Sequence, residues 1–218
     1  FTAFATSHDK DLHLIVVRTD GTQFRHVHPT LDAKTGTWSL PWVWEAAGTY
    51  RVYTDFVPDV KDGPAKVTLT RAVQVGGEVT PQPATHTSTS DTVDGLDVSI
   101  DGTLVAGSTS DLTITVSRDG KPVTTLQPYL GAFGHLVALR DGDLAYLHVH
   151  AVGDDPAPGD TAGPDIVFGA EAPTAGRYLL YLDFQVDGTV HTAEFVLDAV
   201  QGNGSGGGSH DDTESEGH

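Results

Sequence analysis
The chain has 218 residues, no Cys, no Met, and 12 Lys plus Arg against 30 Asp plus Glu, giving a formal charge of -18. That charge repels nucleic acid and anionic membrane surfaces, and it attracts cations and basic partners. Without Cys there is no disulfide framework, no thiolate metal site, no type 1 copper centre and no thiol nucleophile, and no stretch reaches the roughly 20 apolar residues of a membrane-spanning helix.

Apolar and polar residues alternate with period two in short runs bounded by Gly, Pro, Asp and Asn, which predicts an all-β chain. In chain order, strands are expected at 12–18, 23–28, 37–43, 48–56 and 67–75, making a first domain of residues 1–75. A Gly, Pro and Thr/Ser stretch over 76–95 reads as a linker, with His86 inside it. Further strands at 96–100, 111–118, 133–140, 144–150, 165–168, 176–184 and 191–197 make a second domain of residues 96–200. Residues 201–218, which run through GNGSGGGS into HDDTESEGH, read as a flexible tail rich in His and carboxylates. The expected architecture is two tandem β-sandwich domains of immunoglobulin or cupredoxin type. The first lacks its opening strands, since about forty residues of domain precede His135 and only 12 residues precede His13. A chain with no Met at all reads as a processed product, and hence as an exported, extracellular or cell-surface protein whose signal or anchor lies upstream.

The two domains repeat one phrase. HLIVVRTDGTQFRHVHP from His13 to Pro29 answers HLVALRDGDLAYLHVHA from His135 to Ala151, and AGTYRVYTDF at Ala47 to Phe56 answers AGRYLLYLDF at Ala175 to Phe184. Asp20-Gly21 and Asp141-Gly142 each signal a hairpin with a two-residue turn. That turn pairs His13 with His28 and Ile15 with His26, and in the second copy His135 with His148 and Val137 with Tyr146. A longer loop in one copy would bring the two registers together. Either way the histidines share a face with Ile15, Val17, Val137 and Leu139, because strand side chains alternate.

Opposed Cβ atoms lie roughly 4.5–5.5 Å apart across a hairpin. Three imidazoles at one end can therefore converge on one ion at about 2.0 Å from each nitrogen. His13, His26 and His28 form one such set, and His135, His148 and His150 the other. Asp55 and Asp183, in the repeated Asp-Phe pairs, are candidates for a fourth ligand or for a carboxylate that orients a ligand. His8 and His191, which lack counterparts, could complete their own copy's site. A donor set of nitrogen and oxygen without sulfur suits Cu(II) or Zn(II). Trp38, Trp42 and Trp44 form an aromatic group present in the first copy alone.

The HDKDLHLIVVR hairpin, HVHP and the AGTYRVYTDF strand resemble the duplicated β-domains of exported bacterial proteins, common in actinobacteria, that sit near the YtkA-like and CopC-like copper-associated families. DGTVHTAEF approximates the turn and following strand of the CopC family, with His191 three residues after Gly188 instead of directly following it. The resemblance implies metal binding or delivery outside the cytoplasm, to an extracytoplasmic metalloprotein or transporter, without catalysis. LHVHAVGDDPAPGDTAGP, from Leu147 to Pro164, is similar to the metal-loop region of copper–zinc superoxide dismutases, but Asp165 stands where the bridging histidine belongs. A bicupin metalloenzyme is a related alternative, suggested by H-x-H and a later P-x-A-G-x-Y. A metal-independent extracellular interaction or adhesion module is the alternative of a different class.

Overall fold
A computed structural model describes residues 1–63 and 65–202, with only the backbone described at His148. The predicted tail beyond residue 202 lies outside the described residues. The described chain is all-β.

The first half contributes β1 (Phe4–Ala5), β2 (His13–Arg18), β3 (Arg25–Val27), β4 (Thr30–Asp32), β5 (Thr37–Ser39), β6 (Gly48–Pro58) and β7 (Val67–Val75). All of these except the β4–β5 hairpin join in a five-stranded antiparallel sheet, in which β6 pairs with β2 on one side and β7 on the other. The second half contributes β8 (Ser90–Val93), β9 (Leu96–Asp101), β10 (Thr109–Arg118), β11 (Lys121–Pro122), β12 (His135–Arg140), β13 (Tyr146–Ala151), β14 (Asp165–Glu171), β15 (Gly176–Val186) and β16 (Thr189–Ala199). These make a nine-stranded strip in the order β16-β15-β12-β13-β14-β10-β9-β8, with β11 on β10. β13 pairs with β12 through Tyr146 and Leu147, then with β14 from His148 onward, so the strip turns a corner there. The strip folds over itself, and Ser88 bridges to Val196 where its two ends meet.

β8 falls inside the predicted linker. The rest of that stretch is also tied down: the Gln82 N–H donates to Asp20 Oδ2 at 2.8 Å, and Arg177 donates to the Ala84 carbonyl at 2.9 Å. A polar composition concealed this, because the backbone here is held from both halves.

The strip encloses one core. Leu96, Val98, Leu112, Ile114 and Phe168 from β9, β10 and β14 face Leu136, Leu180, Leu182, Phe184 and Phe195 from β12, β15 and β16. β12 and β15 are buried on both faces, which is why HLVALR and YLLYLDF read as near-continuous apolar runs instead of alternating ones. Their second face meets the first half. Ile15, Val17 and Tyr53 pack with Val137, Leu139, Leu144, Leu179 and Tyr181 in a second core shared by the two copies. Thus the repeated phrases face each other. Tyr53 Oη donates to the Leu144 carbonyl in the other copy's hairpin loop, and its counterpart Tyr181 Oη donates to the Gly21 carbonyl at 2.6 Å. Tyr50 and Tyr178 repeat a different device, each donating at 2.8 Å to the carbonyl four residues upstream and so fastening the start of β6 and β15.

The first hairpin has the predicted register, Ile15 opposite His26. Its turn differs: the Gly21 N–H donates to the Arg18 carbonyl and the Arg18 N–H to the Thr22 carbonyl, both at 2.9 Å, so Thr19 and Asp20 are central. Gly21 follows them at φ +85, where an added Cβ would strike Leu179 Cδ1 at 2.5 Å. In the second hairpin the Arg140 N–H donates to the Ala145 carbonyl at 2.9 Å, spanning a four-residue loop with Gly142 and Leu144 at positive φ. Tyr146 therefore opposes Leu139, two places from the predicted Val137. The longer loop restores the common register, since Val16 opposite Arg25 corresponds to Ala138 opposite Leu147.

The three Trp residues separate. Trp38 meets Phe4 at 5.0 Å, whereas Trp42 and Trp44 pair at 5.3 Å beside Tyr50, with the Arg25 guanidinium 4.2 Å from the Trp42 ring.

Candidate metal centre
At the rim of the shared core, β2 supplies His13, β3 supplies His26, and His28 follows β3 directly. Their ligand atoms lie within 4.8 Å of one another, in the arrangement that could hold a metal ion. His13 Nδ1 is 3.0 Å from His26 Nε2 and 3.1 Å from His28 Nε2. A tetrahedral ion with metal–nitrogen bonds near 2.0–2.1 Å spaces its ligand atoms about 3.3 Å apart, so the two pairs made by His13 need little movement.

Hydrogen-bond partners fix which nitrogens point inward with lone pairs. His13 donates from Nε2 to the Ser7 carbonyl at 2.9 Å, and a carbonyl only accepts, so neutral His13 presents a bare Nδ1. His26 donates from Nδ1 to Asp183 Oδ2 at 2.9 Å, so neutral His26 presents a bare Nε2. These two lone pairs face each other at 3.0 Å with no proton of their own between them. A cation at that point turns the repulsion into attraction.

Two more histidines surround the set. The His135 ring lies parallel to His13 at 5.7 Å and 4.9 Å from His26, while His8 stands 5.3 Å from His135 and 6.0 Å from His13. His13 is buried, and His28 opens onto a groove of about 340 Å³ lined also by Lys10, Asp11, Pro29 and Trp38. The groove gives an ion a route to the nitrogens.

Burial favours the neutral forms of His13 and His28. It lowers His13 to about 4, aided by His26 and His8, and lowers His28 to about 3, aided by His26, His13 and Lys10. His135 lies well below its ordinary value and His8 is also lowered, in both cases chiefly through burial. In the unfolded chain these rings titrate near 6.5. Below that pH the unfolded state takes up protons that the folded state refuses. The stability contribution is thus complete above 6.5 and is lost as pH falls toward about 4 for His13 and about 3 for His28. Urea midpoints of metal-free protein should drop between pH 7.5 and pH 4.5, and they should drop less in a His28→Gln variant.

The other predicted residues are placed as follows. Asp183 Oδ2 accepts from His26 Nδ1 at 2.9 Å, and its other oxygen accepts from Thr192 at 2.6 Å. Asp55 is engaged by Lys66 at 2.9 Å and by Thr68 at 2.8 Å. His191 lies 2.8 Å from Asp94, with its ring against Phe184. His135 joins the first copy's histidines. The exposed His150 ring lies against Gly169, where an added Cβ would come within 2.7 Å of its Nε2. The His148 side chain lies outside the described residues. The sequence named Asp183 as a candidate without saying which histidine it meets. The missed signal was the lack of alternation in β12 and β15, which marks a second buried face able to receive the other hairpin.

No helix of the described residues is long and apolar enough to cross a membrane. No curated protein matches the chain. The family described as a domain of unknown function, DUF8832, matches residues 1–77 and 91–201. By that match the chain belongs to the DUF8832 family.

Proposed function
We propose that this protein binds Cu(II) or Zn(II) outside the cytoplasm, through His13, His26 and His28, for sequestration or for delivery to a metalloprotein or transporter. The observation that carries the reading is the pair of tautomer-fixed nitrogens, His13 Nδ1 and His26 Nε2, aimed at each other at 3.0 Å with His28 Nε2 beside them. An all-nitrogen set suits these two ions, with copper the tighter under the Irving–Williams order. Three protein ligands beside a groove leave a coordination position for solvent or a partner's side chain. The export reading is supported by the resemblance to the YtkA-like and CopC-like proteins, carried by HVHP and the AGTYRVYTDF strand.

The test is elemental analysis of untagged full chain dialysed against trace Cu(II) and Zn(II), beside an H210Q/H218Q variant that silences the tail. Metal retained by both forms and lost from an H13A/H26A/H28A variant is the expected result. Retention near zero in the tail variant leaves the histidines as packing between the copies, and the interaction-module reading takes over.

A further inference from the structure
We infer that the two copies share one metal centre, in which Asp183 of the second copy is the positioning residue for His26 of the first; this rests on the metal-binding reading above. The argument starts from a symmetry and its breakage. Asp55 and Asp183 are equivalent in the repeat, and each lies across its strand pair from a threonine, Thr68 or Thr192. Each threonine donates to Oδ1 of its aspartate, at 2.8 Å and 2.6 Å. The second oxygens differ. Asp183 Oδ2 takes the His26 Nδ1–H at 2.9 Å, with both side chains almost fully buried, whereas Asp55 Oδ2 takes the Lys66 ammonium at 2.9 Å.

Consequently one carboxylate is free to serve a metal ligand and the other is already neutralised. An imidazole that donates its far N–H to a carboxylate is fixed in ring orientation and tautomer, and its other nitrogen becomes a stronger donor. With both oxygens engaged, Asp183 does not turn toward the ion; its part is to aim Nε2 of His26. Among the described residues the two copies therefore build one three-histidine set, and the fully buried side chain of His26 in it is held by the opposite copy.

Full-chain protein carrying H210Q/H218Q would be titrated with Zn(II) against a chromogenic chelator, and separately with Co(II) followed by visible absorption. On that background, one equivalent bound is expected. Asp183→Asn keeps the shape and one acceptor oxygen but loses the charge, and should weaken Zn(II) by about 10- to 100-fold while shifting the Co(II) bands. Asp55→Asn should stay within about threefold. Tyr181→Phe, which removes a contact between the copies but touches no donor, should leave affinity and bands unchanged. The inference is overturned by two equivalents bound, by an unaffected Asp183→Asn, by equal losses in the two Asn variants, or by a Tyr181→Phe loss as large as that of Asp183→Asn. No binding by the parent protein overturns the metal reading itself, which separates the two failures.

Discussion

Tyr181→Ala should lower the unfolding free energy by about 3–5 kcal/mol, the usual cost of truncating a large core aromatic. Tyr181 is buried in the core shared by the two copies, its ring stacks on Phe24 at 4.0 Å, and its hydroxyl donates to the Gly21 carbonyl at 2.6 Å. Truncation removes the stacking, the buried area and the bond together. Tyr181→Phe isolates the bond and should cost about 1–3 kcal/mol, because a buried carbonyl loses its donor. Urea unfolding followed by Trp fluorescence reads the outcome well, since all three Trp residues lie in the first half. Should Tyr181→Ala cost under about 1 kcal/mol, the docking of β2 and β3 against β12 and β15 would be wrong.

The second large effect concerns the ion. Under the proposed function, His26→Ala should weaken Zn(II) or Cu(II) by more than the roughly 10- to 100-fold that removing an orienting partner costs, because a bond to the metal itself is lost. It also leaves Asp183 Oδ2 without its donor in a buried place, so a fall in stability is expected alongside. His28→Ala separates these effects. His28 is half-buried beside the groove, and its removal should cut affinity with a smaller loss of stability. Isothermal titration paired with urea unfolding distinguishes the two. Affinity unchanged in both variants would place the metal elsewhere, with the tail histidines the first alternative.

Much of this was legible in the residues. Period-two alternation and the turn residues gave the all-β class and most strands, because a half-buried strand shows its pattern directly. The spacing of His13, His26 and His28 placed them on one face before any coordinates, since parity survives errors in turn type. The mismatch of the two registers pointed to a longer loop in one copy, though not to which; the four-residue loop after Arg140 depends on Leu144 accepting a positive φ. What stayed hidden was long-range. The sequence could not say that Asp183 meets His26, 157 residues away, for local pattern carries no information about which buried faces meet. The strand at Ser90–Val93 was missed because its partners, not its composition, make it one.

The arrangement of the two cores also implies an order of assembly. Every residue of the larger core lies between Leu96 and Ala199, so the second half can collapse on contacts of its own. Ile15, Val17 and Tyr53 of the first half find their buried neighbours on β12 and β15. A ribosome delivers the half that needs a template before the template exists. The N-terminal hairpin must then wait through the synthesis of residues 135–186, its histidine face open to solvent, until β12 and β15 arrive to receive it.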